Sequence, residues 1–99
     1  ALLGDKISAQ QALEWGMIWQ VVEPEMLAAR TQELAQHLAT QPTYGLGLIK
    51  KAMYSAATNT LDQQLDLERD LQRLGGRSED YREGVSAFFQ KRQPEFKGK

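Results

Sequence analysis
Residues Thr60 to Gly76 read as one helix with both ends marked, and it carries two apolar stripes where a helix in a small domain needs one. Thr60-Leu61-Asp62-Gln63 is a capping box. The threonine hydroxyl accepts from the amide three residues on, and the glutamine side chain reaches back to the amide of Thr60. Gly75-Gly76 ends the helix. Leu61 and Leu65 point one way, while Leu67, Leu71 and Leu74 lie roughly 135° around the axis. Two stripes imply two neighbours, so the second is a candidate subunit contact; a helix wedged inside its own core is the equal alternative.

The rest of the chain is punctuated in the same manner. Ser8 with Gln11 forms a capping box for a short helix that Gly16 closes in the left-handed position. Met17-Ile18-Trp19-Gln20-Val21-Val22 is rich in β-branched and aromatic residues and predicts a short extended piece with no evident pairing partner. Pro24 opens a second helix running to about Thr40, with Leu27, Thr31, Leu34 and Leu38 along one side. Pro42 stops it and begins the next, in which Leu46, Ile49, Ala52, Met53, Ala56 and Ala57 share a face. Ser78 caps the last helix, Glu79 and Asp80 meet the positive end of its dipole, and Tyr81, Val85, Phe88 and Phe89 form its apolar face before Pro94. The expectation is an all-α segment spanning 1–99 with one short extended piece.

With 99 residues the chain can bury one modest core, about 60 to 65% of the surface the unfolded chain exposes, so a partner surface is expected to contribute to stability. A net charge of −1, with both signs scattered, offers no field for a nucleic-acid backbone. The absence of cysteine removes thiolate nucleophiles, disulfides and zinc-thiolate sites, and fits a cytoplasmic protein. No apolar run approaches the roughly 20 residues that span a bilayer. Ala1-Leu2-Leu3 opens inside an apolar run without an initiator methionine, so the chain is expected to have been cut from something longer, or to have lost its methionine by processing.

Catalytic chemistry is sparse. His37 sits beside the leucine stripe of its helix, with no serine or acid in a triad-like relation, and reads as a boundary histidine. Asp62, Asp66, Glu68 and Asp70 alternate with Arg69 and polar groups, without imidazole or thiolate beside them, and read as a solvated helix face, not a metal site. Gly45 and Gly47 follow a proline and no strand, so they are no phosphate loop. There remains the tail. Phe88 and Lys91 lie three residues apart, ring beside ammonium, with Arg92 and Lys97 adding positive charge, an arrangement suited to a nucleotide. The alternative is ordinary: cations at a helix C-terminus answer the dipole, and aromatic residues on an apolar face are usually core.

The order of motifs supplies a further reading. Leu2-Leu3-Gly4, Ile7-Ser8-Ala9, Ala12, Trp15-Gly16-Met17, Val21-Val22, Pro42, Lys50, Leu65, Glu68, then Ser78-Glu79-Asp80-Tyr81, Glu83-Gly84-Val85, Ala87-Phe88, Lys91-Arg92, Pro94 and Phe96 resemble the C-terminal third of the enoyl-CoA hydratase/isomerase (crotonase) superfamily across essentially the whole chain. Tyr44 to Lys50, Asn59 to Asp70 and Gly76-Arg77-Ser78 are most similar to members that convert a ring-epoxidised phenylacetyl-CoA to its oxepin, with a plain enoyl-CoA hydratase, or a stand-alone helical interaction module, as the alternatives.

The resemblance implies that the oxyanion-hole amides and the proton-moving acids lie on an N-terminal β/α spiral core preceding Ala1, so no catalytic residue and no metal ligand is carried onto this chain. It implies a coenzyme A thioester as substrate and no separate cofactor. It implies also a trimer, often paired into a hexamer, assembled through this helical part. Phe88 and Lys91 match the family's contacts to the CoA adenine and ribose 3′-phosphate, commonly in a neighbouring subunit's site; Arg92 and Lys97 are weaker phosphate candidates. Phe89 places a second ring where the family usually has an aliphatic residue, leaving open which ring faces CoA.

Overall fold
The computed structural model describes residues 4–99. Ala1, Leu2 and Leu3, with the apolar start and the first part of the Leu2-Leu3-Gly4 motif, lie outside the described residues. Five α-helices follow in order: α1 Ala9–Glu14, α2 Leu27–Ala39, α3 Thr43–Ala56, α4 Leu61–Gly75 and α5 Glu79–Gln90, with a 3-10 turn at Pro24–Met26 leading into α2. No strand occurs among the described residues, and none of the described helices is long and apolar enough to cross a membrane.

The first of two compact units ends at Glu33. Its α1 has the expected box at the N-terminus: Gln11 N–H donates to Ser8 Oγ at 3.1 Å, and Ser8 N–H donates to Gln11 Oε1 at 3.0 Å. Gly16 follows at φ +71°, the left-handed stop that a side chain would strain. The segment 17–22 joins no sheet. Met17 to Trp19 bend back, with Met17 N–H on Ala12 O at 2.8 Å, and the following residues are irregular. A strand needs a partner for its amides, and the described residues supply none.

The second unit, Leu34–Lys99, is built on α3 and α4. The box at Thr60 and Gln63 is made, with amide-to-side-chain distances of 3.3 and 2.9 Å. Gln64 then ties the two helices. Its Nε2 donates to Ala52 O at 3.2 Å and to Glu68 Oε1 at 2.8 Å, while its Oε1 accepts from Asn59 Nδ2 at 3.0 Å. Near the far end of α4, Leu48 packs over Gly75, its Cδ1 3.5 Å from where a Cβ would be. The α4 helix ends without a left-handed residue; Gly76 keeps right-handed angles and the chain turns directly into the Ser78 cap of α5, where Tyr81 N–H donates to Ser78 Oγ at 3.0 Å.

Of the two leucine stripes on α4, one is used in part: Leu71 is buried and Leu67 half-buried, but Leu74 is exposed, as are Leu61 and Leu65 of the other stripe. The predicted face of α3 is covered only at Leu46 and Ala52, which are half-buried, and that of α5 is uncovered. Ile49, Met53, Tyr81, Val85, Phe88 and Phe89 are all exposed, and what α5 buries instead is Asp80 and Ala87. Aromatic residues at helical spacing read as core because core is their commonest fate. Here the buried side of α5 is taken by the chain's own tail, which requires small and hydrogen-bonding residues.

Candidate functional site
The tail after α5 is a strap that folds back along the helix. Asp80, in the first turn of α5, is 3% exposed, and its two carboxylate oxygens accept the backbone N–H groups of Lys97 at 2.7 Å and Gly98 at 2.9 Å. The Asp80 N–H donates in turn to Lys99 O at 3.0 Å. One turn further on, Glu83 accepts Arg92 Nη1 at 2.5 Å and Nη2 at 2.9 Å, together with Glu95 N–H at 2.8 Å. Between the two acids the Phe96 ring packs over Gly84, its Cε1 3.5 Å from where a Cβ would be, an ordinary contact distance. The Arg92 fork and then the Glu95 amide hold the Glu83 carboxyl at a pKa of about 2, well below its ordinary value.

The strap determines how α5 ends. Helical angles stop at Gln90, and Lys91 adopts φ 54°, ψ 38°, the one left-handed residue other than glycine among the described residues. Lys91 N–H donates to Phe88 O at 3.2 Å and Arg92 N–H to Ala87 O at 3.1 Å, closing the last turn. Lys91 is therefore beyond the helix proper, yet its amide is fastened to the same turn that carries Phe88. Phe88 and Phe89 are 79% and 78% exposed and meet edge to face at 5.8 Å between ring centroids. The two exposed rings and the exposed Lys91 thus follow one another along the end of α5.

Arg92 does not share that freedom. Besides the two bonds to Glu83, its Nε donates to Gln90 Oε1 at 2.7 Å and its Nη1 to Gln93 O at 3.0 Å. A guanidinium with four of its five N–H groups engaged serves as a brace within the strap. Lys97 keeps an exposed side chain, its amide alone being held by Asp80. His37 is exposed on α2, and Arg69 pairs with Asp66 at 2.8 Å and Asp70 at 3.2 Å on an open face of α4.

Beside the rings, α3, α4 and α5 bound an open groove of about 870 Å³, walled by Ile49, Met53, Leu71, Tyr81, Val85 and Phe88, with Gln64, Glu68 and Asp80 among its few polar members. Apolar periodicity alone does not mark Asp80 and Glu83 as partners of the tail. Their signal was present: Asp80, Glu83, Gly84 and Ala87 recur at three and four residues on one side of α5, a side too small and polar for a helix neighbour and suited to a strand of backbone.

Comparison with known proteins places this architecture. The family model described as Enoyl-CoA hydratase/isomerase matches residues 1–99. The chain belongs to the enoyl-CoA hydratase/isomerase family. It is 73% identical over 99 residues to the 1,2-epoxyphenylacetyl-CoA isomerase of Escherichia coli (strain K12), with all of this chain and 38% of that protein covered. To the 2,3-dehydroadipyl-CoA hydratase of the same organism it is 36% identical over 98 residues, covering 99% of this chain and 38% of the relative. Among solved structures, an enoyl-CoA hydratase from Geobacillus kaustophilus HTA426 superposes with a TM-score of 0.93 at 40% identity, covering 99% of this chain and 37% of that one. The chain thus spans well under half the length of these family members and corresponds to their C-terminal part. The helical C-terminal segment of the crotonase fold, expected from the motifs, is the fold observed.

Proposed function
We propose that this chain is the C-terminal segment of an isomerase acting on ring-epoxidised phenylacetyl-CoA, and that Phe88 and Lys91 contact the nucleotide end of coenzyme A. The observation that carries the substrate is the identity of 73% along the entire chain, against 36% to a hydratase of the same organism. The substrate contact draws support from geometry: two exposed rings, and a lysine anchored by its amide to the turn of Phe88. An adenine stacked on one ring gains about 1–3 kcal/mol, and an exposed charge contact to a phosphate adds up to about 1 kcal/mol.

Those magnitudes correspond to millimolar affinity at best, so the segment contributes to CoA affinity without holding CoA alone. Polarising the thioester carbonyl and moving protons fall, in this reading, to the part of the complete protein that this chain does not span. The exposed Leu61–Leu65 stripe of α4 is read as a subunit contact in a trimer or hexamer, in the cytoplasm. The test is product analysis with the complete protein that carries this chain. Conversion of the ring epoxide to the oxepin supports the reading, whereas hydration of a 2-enoyl-CoA with no action on the epoxide favours the hydratase alternative.

A further inference from the structure
Lys91 sits in a conformation that a residue with a Cβ adopts only at a cost of about 1–2 kcal/mol, so something must hold it. Its own side chain does not, being exposed. Part of the holding is the pair of backbone bonds from Lys91 N–H to Phe88 O and Arg92 N–H to Ala87 O; the rest comes from the residues that follow. Arg92 is pulled back nine positions to Glu83 by two parallel N–H···O bonds, and Glu95, beyond Gln93 and Pro94, returns its N–H to the same carboxylate. One side chain therefore fixes the chain on both sides of Pro94, immediately after Lys91. With Glu83 ionised, the turn that joins Phe88 to Lys91 has a single exit. Without it, Arg92 keeps only Gln90 Oε1 and Gln93 O, and the left-handed turn at Lys91 is held by its two backbone bonds alone.

We infer that Glu83 is a positioning residue for CoA recognition: by clamping Arg92 and the Glu95 amide, it holds Lys91 at the height of Phe88, so that ring and ammonium meet the adenine and the ribose phosphate together. Glu83 itself touches no ligand in this arrangement, because both of its oxygens are taken by the strap. The inference rests on the proposal that Phe88 and Lys91 contact the nucleotide, and the experiment separates the two.

In the complete protein, Glu83→Gln, Lys91→Ala and the double variant are assayed with the CoA thioester and with the same acyl group on pantetheine, which lacks the nucleotide. A carboxamide offers one oxygen where the strap uses two and turns an NH2 toward the guanidinium. Glu83→Gln is expected to raise KM for the CoA thioester about two- to fivefold, the worth of one exposed charged contact, with kcat unchanged and the pantetheine thioester unaffected. Lys91→Ala is expected to show the same selectivity, and the double variant to be no worse than Lys91→Ala alone. Equal losses on both thioesters in Glu83→Gln, no loss on either, or full additivity with Lys91→Ala overturns the positioning role while leaving the Lys91 contact standing. Failure of Lys91→Ala itself to distinguish the two thioesters overturns the contact reading and the inference with it.

Discussion

Replacing Asp80 with alanine tests whether the strap is held by hydrogen bonds to one buried carboxylate. At 3% exposure Asp80 accepts two backbone N–H groups, from Lys97 and Gly98, at 2.7 and 2.9 Å. Bonds to a charged acceptor contribute about 1.5–3 kcal/mol each. The position in the first turn of α5 adds about 0.3–1 kcal/mol from the helix dipole, while the desolvation of the carboxylate offsets part of the total. A loss of about 3–4 kcal/mol is therefore expected, and it should fall on the strap before it reaches the α3–α4 pair. Asp80→Asn retains one acceptor and should lose about half as much. Amide hydrogen exchange, read by NMR or on peptides covering 91–99, reports the effect directly. For Asp80→Ala the amides of Lys97 and Gly98 should exchange about a hundredfold faster or more, 3 kcal/mol being somewhat over two decades, and α4 amides near Leu71 should change little. Exchange at Lys97 and Gly98 within threefold of the parent would refute the reasoning, and would mean that Phe96 and the Arg92–Glu83 pair suffice.

Three further outcomes follow from the same strap and its surroundings. Glu83, held at about pKa 2 against an ordinary 4.5, should stabilise the strap fully above pH 4.5 and lose that contribution as pH falls toward 2; an NMR titration placing its midpoint near 4.5 would contradict the ion-pair geometry, and Arg92→Ala should move the midpoint upward. Gly84→Ala puts a methyl in ordinary contact with Phe96 and gains helix propensity, so urea unfolding should show stability unchanged or raised by up to about 1 kcal/mol, whereas Gly84→Leu should displace the ring and release the strap. Gly98→Ala combines φ +74° with a Cβ only 2.5 Å from Thr43 Oγ1 and should cost about 1–2 kcal/mol from the backbone alone; adding Thr43→Ala should recover the steric part of the loss and no more.

Local signals in the sequence were read correctly wherever the responsible groups lie within four residues of each other. The boxes at Ser8–Gln11 and Thr60–Gln63, the Ser78 cap and the stop at Gly16 all formed, because their hydrogen bonds are decided by the segment that carries them. The extended piece at 17–22 found no ladder for the opposite reason: β propensity becomes a strand only with a neighbour, and none of the described residues provides one. The same distinction governs α4. Its two stripes were visible as a pattern, but only packing against α3 could decide that Leu71 is buried and that Leu61 and Leu65 are not.

The strap was the least legible feature, and it reverses the reading of α5. Periodicity ranks residues by apolar character, and on that measure Tyr81, Val85, Phe88 and Phe89 are the inner face. The helix instead spends its inner face on Asp80, Glu83, Gly84 and Ala87, because the neighbour there is a stretch of backbone whose N–H groups need acceptors that a leucine cannot offer. Once those acceptors are engaged, the aromatic face is left turned outward beside a groove of about 870 Å³ and a lysine locked at the helix end. Laying the tail over Asp80, Glu83 and Gly84 thus leaves the rings on the outer side of α5. In this segment, which spans 38% of its relative's length, Phe88 and Phe89 stay uncovered, and the bonds of the Lys91 and Arg92 amides to Phe88 O and Ala87 O close the turn that joins them.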